Sequence, residues 1–299
     1  MLRCAARPGR TPNAPTLLPA ASGPTPAMPR IFCIANQKGG VGKTTTTLNL
    51  AAGLAQLGQR VLVIDLDPQG NATMGSGIDK RSLALSVYDV LLGSAGIAEA
   101  CVRCASGGFD VLGANRELAG AEIELVPLER REQRLRDAVS AAADYDFVLI
   151  DCPPSLSLLT LNGLCCAQGV IVPMQCEYFA LEGLSDLVNT IKQVHGNLNR
   201  ELQVSGLLRV MYDARITLQN QVSEQLKAHF GDKVFDTVIP RNVRLAEAPS
   251  YGQPGVVFDP ASKGAQAFVA FARELLQRVG APGSAAGATP DPSLPHVPN

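Results

Sequence analysis

The stretch IFCIANQKGGVGKTTTTLNLAAGLA, Ile31 to Ala55, constrains this chain more than any other. It reads as an apolar strand, a glycine loop and a helix whose Leu50, Leu54 and Leu57 recur at helical spacing. Such a loop turns successive backbone N–H groups toward phosphate oxygens, helped by the positive end of the helix that starts near Lys43. Gly39, Gly40, Val41 and Gly42 form the cradle. Lys43 is placed to bridge the β- and γ-phosphates, and Thr44, followed by Thr45, offers a hydroxyl to Mg²⁺. One lysine is surplus: Lys38 opens the loop at a position the generic pattern leaves unspecified.

Short β-rich runs alternate with helical ones along the rest of the chain. Strands are expected at Arg30–Ala35, Arg60–Asp65, Phe147–Asp151, Gly169–Met174 and Val204–Tyr212. Helical faces follow from Leu181, Leu184, Val188 and Ile191, and from Phe268, Phe271, Leu275 and Val279. Strands apolar on both faces imply an α/β fold, a mostly parallel twisted sheet with helices on each side, here of the P-loop NTPase type. Ligands of such sheets sit at the carboxyl ends of the strands. Two strand ends supply acids: Asp65 with Asp67 two residues on, and Asp151. A strand-end aspartate often caps the next helix, but three of them in a phosphate-loop fold point to a metal site. Asp151 and Asp65 join Thr44 in that set, with Asp151 holding Mg²⁺ through water.

One domain is expected over 29–279. Residues 1–27 carry six prolines, three arginines and no acid, so they cannot build a core. They read as a disordered arm or an over-extended start ahead of Met28, and the tail 280–299, with five prolines, also reads as disordered. The formal net charge of −1 excludes a global attraction to nucleic acid or acidic membranes, so any anionic partner must meet a local patch. No apolar run approaches the roughly twenty residues of a spanning helix, and a cytoplasmic protein is expected. The cysteines are scattered through apparent strands and helices and read as reduced thiols. The CxxC of Cys101 and Cys104 lacks the further ligands of a zinc site.

The motifs KGGVGKTT, DLDPQGNAT, DCPPS, PMQCEYFALEGLSDL, MYDAR and IPRNVRLAEAPSYGQP occur in that order, and between about Pro29 and Val279 the chain resembles the ParA/Soj family of chromosome-partitioning ATPases. The resemblance implies a role for the surplus lysine. In this family the early lysine, here Lys38, marks a deviant Walker A loop and reaches the ATP of a second subunit in a nucleotide-sandwich homodimer. It also implies that Asp67 orients or activates the attacking water, and that Pro240, Arg241 and Asn242 lie against adenine. Asparagine is chemically apt for an adenine edge.

The resemblance further implies that the ATP-bound dimer binds double-stranded DNA without sequence preference on the nucleoid, and that a ParB-like partner stimulates hydrolysis. Lys192 to Lys263 holds nine basic against seven acidic residues, hardly a basic domain. Arg215 and Arg244 match positions the family associates with DNA phosphates, and a dimer presents each twice. Three other readings share the loop. A ParA-type positioning ATPase for another cargo would carry the same motifs. A MinD-like membrane regulator would need an amphipathic helix that the polar tail does not supply, and an iron-sulfur or synthetase relative would need chemistry beyond the loop.

Overall fold

Runs of branched apolar residues become the centre of the sheet because both of their faces are covered. The computed structural model describes residues 28–140, 144–178 and 180–280. The proline-rich ends, on which disorder is expected, lie almost wholly outside the described residues. Eight strands form one sheet: β1 (Arg30–Ile34), β2 (Val61–Asp65), β3 (Cys101–Cys104), β4 (Phe109–Leu112), β5 (Phe147–Asp151), β6 (Gly169–Met174), β7 (Gln203–Tyr212) and β8 (Val234–Pro240). Their order is β3-β4-β2-β5-β1-β6-β7-β8. Every neighbouring pair is parallel except β3 with β4. All residues of β2, β5 and β6 are buried.

Two apolar layers cover the faces. On one, Leu50 and Leu54 of the helix Lys43–Gln56 meet Phe268, Phe271 and Leu275 of the helix Lys263–Gly280. On the other, Leu184, Val188 and Ile191 of the helix Ala180–Asn197 pack with Leu159 and Leu164 of the helix Leu158–Cys166. The five strands expected from the sequence are present within one residue at their ends.

Three strands go beyond that expectation. β3 and β4 are four residues each, too short for a periodic pattern, and β8 reads VFDTVIP, in which Asp236 and Thr237 interrupt the apolar run. β8 is an edge, and the last helix protects it. Glu274 accepts from the backbone amides of Asp236 (2.8 Å) and Thr237 (2.9 Å), while Arg278 donates to the carbonyl of Val234 at 3.0 Å. Side chains thus take ladder positions that a further strand would occupy. On β3 the CxxC is divided by the strand's two-residue period: Cys104 is buried with Phe109 in one layer, and Cys101 packs against the other.

Candidate nucleotide site

Strand register assembles the site. Asp151 ends β5 and pairs with Ile34, the last residue of β1, on one side and with Asp65, the last residue of β2, on the other. The glycine loop therefore leaves the sheet beside both acids. Gly40 (φ +73) and Gly42 (φ +78) adopt the left-handed conformation that β-carbons disfavour, and Gly42 directly precedes the helix Lys43–Gln56. Gln37 stands five residues before Gly42, where the generic loop pattern has its first glycine. It is not among the residues at positive φ, so a side chain is tolerated there.

Lys43 is buried and its ammonium donates to the carbonyl of Lys38 at 3.1 Å, so the amine is folded back into the loop. Burial pulls its pKa below the ordinary lysine value, and Asp151 opposes that shift. Thr44 donates to Asp151 Oδ2 at 2.7 Å, and Thr47 Oγ1 lies 3.1 Å from Asp151 Oδ1. Burial, followed by the neighbouring Asp65, pushes the Asp151 carboxyl up to about 8. A buried carboxylate beside a hydroxyl is an oxygen donor set that a hard divalent cation takes, and a cation there would favour the ionised form. Thr44 and Asp151 therefore fit Mg²⁺.

Asp65 is equally buried but otherwise engaged. Its Oδ2 accepts from the amide and the hydroxyl of Thr73, both at 2.8 Å, and its Oδ1 accepts from the amide of Asp67 at 3.1 Å. Burial raises its pKa to about 6 against the pull of those donors. The geometry makes Asp65 a strut for the turn that carries Asp67, with its oxygens turned to that turn, whereas the sequence placed it in the metal set. Asp67 is half-buried. Its Oδ1 accepts from the amide of Gln69 at 2.9 Å, and its charge acts on both Lys43 and Asp151.

Lys38 takes another course. Its side chain leaves the cradle and pairs with Glu177, which lies in the loop after β6. The pair is half-exposed, with 53% and 47% of the two side chains accessible, so it is held weakly. Glu177 escaped the sequence reading although it sits in PMQCEYFALEGL, since nothing in that run says which loop faces it.

Asn242 caps the helix Val243–Glu247, its side-chain oxygen accepting from the amide of Arg244 at 2.8 Å. Its carboxamide nitrogen and the neighbouring Pro240 and Arg241 remain at the end of β8, three strands from β1. Arg215 and Arg244 both follow strand ends, β7 and β8, on the side of the sheet that carries the glycine loop. Arg215 forms a two-pronged pair with Asp213 at 2.9 and 2.7 Å, holding that carboxyl down to about 2. Arg244 reaches Glu247 at 2.9 Å and Asp259 at 3.3 Å. Both guanidinium groups are thus exposed but already matched by acids.

Comparison with known proteins places this geometry among relatives. A family model described as an AAA domain matches residues 29–204. The chain is 51% identical over 252 residues to the chromosome partitioning protein ParA of Caulobacter vibrioides, covering 83% of this chain and 94% of that one. It is 52% identical over 249 residues to the sporulation initiation inhibitor protein Soj of Bacillus subtilis, covering 83% and 98%. Among solved structures, a Mycobacterium smegmatis protein described as cobyrinic acid a,c-diamide synthase with bound ADP and magnesium superposes with a TM-score of 0.75 at 40% identity, covering 85% of this chain and 96% of that one.

Proposed function

The chain belongs to the ParA/Soj family of chromosome-partitioning P-loop ATPases, and from that premise we propose that it is an ATP-driven dimerisation switch that binds DNA in the ATP state and leaves it on hydrolysis. The observation that carries the reading is the division of labour between two lysines. Lys43 is folded into the loop against the Lys38 carbonyl, where its charge would face the phosphates of the chain's own nucleotide. Lys38 points away from the cradle and pairs with Glu177.

The loop amides and Lys43 hold the triphosphate, and Thr44 with Asp151 would hold Mg²⁺. When bound, that cation would neutralise negative charge on the triphosphate. Asp65 fixes the turn after β2, and Asp67 on that turn orients the attacking water. Pro240, Arg241 and Asn242 line the adenine end. Two nucleotides brought to one interface concentrate negative charge, and a Lys38 exchanged from each subunit makes the contact favourable only while the γ-phosphate is present. The strand-end rim supports this: Leu156, Ile216 and Val243, on loops or helix starts after β5, β7 and β8, and Tyr251 at the end of a short helix after β8, are exposed apolar side chains that a second copy would cover.

In the dimer Arg215 and Arg244 appear twice on the rim and meet DNA phosphates on the nucleoid, releasing Asp213, Glu247 and Asp259. A ParB-like activator triggers hydrolysis. Arg215→Glu with Arg244→Glu is expected to abolish retardation of random duplex DNA in ATP while leaving the dimer intact; a double variant that retards DNA like wild type would move the contact elsewhere. Among the described residues no helix is long and apolar enough to cross a membrane.

Size-exclusion chromatography with ATP and Mg²⁺, run beside a turnover assay, tests the switch. Lys38→Ala is expected to bind ATP as a monomer and to lose hydrolysis and DNA binding together. Asp67→Ala is expected to accumulate as an ATP-bound dimer with turnover reduced about a hundredfold or more. A Lys38→Ala protein that dimerises normally would refute the cross-subunit role.

A further inference from the structure

The glycine loop is gripped from outside by a residue that the chemistry above leaves unused. Gln175 follows β6, and its Nε2 lies 3.1 Å from the carbonyl oxygen of Gly40 and 3.1 Å from Met211 Sδ. Gly40 has φ +73, and a β-carbon built there would meet nothing within 4 Å, so no neighbour packs against Gly40 itself, although Val41 beside it is buried. The carbonyl of Gly40 and the N–H of Val41 belong to one planar peptide and point in opposite directions. Were that plane to turn over, the loop would present an oxygen where a phosphate needs a donor. A donor fixed on the Gly40 oxygen therefore fixes the Val41 N–H on the opposite side.

Met211 explains how the amide of Gln175 is seated. It lies near the end of β7 at φ +51, where the pairing of β7 with β8 slips between Arg209 and Tyr212. A long side chain rarely takes this conformation, and a fold keeps it only where the surroundings enforce it. Here it puts the sulfur against Gln175 and the terminal methyl 3.7 Å from the point a β-carbon on Gly42 would occupy. Gln175 and Met211 thus brace Gly40 and Gly42, the two left-handed residues of the loop.

We propose that Gln175, seated by Met211, is a positioning residue that holds the Gly40–Val41 peptide in its phosphate-accepting orientation. The proposal rests on the nucleotide reading of the loop. Gln175→Met keeps the length and removes the donor; Gln175→Glu keeps the shape and replaces the donor by an acceptor. Each is titrated with a ribose-labelled fluorescent ATP analogue and Mg²⁺, and assayed for turnover. Affinity is expected to fall about tenfold, the scale of one hydrogen bond to a charged group, with KM rising by a like factor and kcat nearly unchanged. Met211→Leu is expected to weaken binding less and to add nothing to Gln175→Met, because the two side chains act as one brace. Wild-type affinity in both Gln175 variants, a loss confined to kcat, or additive losses with Met211→Leu would overturn the proposal. Wild-type protein that fails to bind the analogue would instead remove the nucleotide reading itself.

Discussion

The Asp151 side of the site and the Lys38 side are built to opposite rules. Around Asp151 the chain has completed its bonds: the carboxylate is buried, two threonine hydroxyls contact its oxygens, and register with β1 and β2 holds it in place. Around Lys38 the side chain reaches into solvent, and among the described residues it makes a half-exposed ion pair to Glu177. A finished half binds what fits it, whereas an open half waits for something to complete it. In the proposed switch, pre-organisation belongs to the chemistry that one subunit would perform alone, and looseness to the contact that would need two.

The comparison is broken most severely at Lys43, the buried cation of the finished half. Lys43→Ala is expected to lower ATP affinity by about a hundredfold or more, since several charge-assisted contacts to phosphate go with it. The fold should persist by circular dichroism, and near-normal affinity in a fluorescence titration would take Lys43 out of the site.

Asp151→Asn probes the same half from the acid side. Two buried carboxylates, Asp65 and Asp151, lie at paired strand ends, and desolvation together with Asp65 makes the Asp151 charge costly. The empty Asp151→Asn protein is therefore expected to be more stable than wild type, by about 1 kcal/mol or more, while Mg²⁺-dependent turnover is lost. Thermal melts without nucleotide or metal check the first part; a clear drop in melting temperature would mean that the carboxylate is a net structural support.

The smallest effect is expected on the open side. Glu177→Gln removes the resting partner of Lys38 and should change stability by less than about 1 kcal/mol, as exposed pairs do. It should also let dimers form at slightly lower ATP, read by sedimentation across an ATP titration. A large loss of stability would show that the Lys38 side is as rigid as the Asp151 side and would erase the contrast.

Much of the finished half was legible in the chain. The strand, the glycine loop, Lys43 and Thr44 are consecutive, and their geometry follows from short-range rules of turns and helix starts. Asp67 and Asp151 were visible as strand-end acids. Less legible was the division of work among the acids. Asp65 looks from the sequence like a metal ligand, and only the Thr73 amide and hydroxyl folded onto it reveal a strut. Asn242 likewise stands just before the helical run VRLAE, where its side chain caps the helix.

The amino-acid sequence alone determined the central strands, the layered α/β class and the phosphate cradle, because apolar periodicity and local backbone preferences act over a few residues. Tertiary structure decided which distant loops meet there. Glu177 stands 139 residues from Lys38, and Gln175 stands 135 from Gly40. Their meeting depends on β6 taking the place beside β1, and β3, β4 and β8 owe their existence to edges that the central strands left open. Strand order and register are chosen by the burial of the whole core rather than by any segment, so contacts that cross the sheet are written in no local pattern.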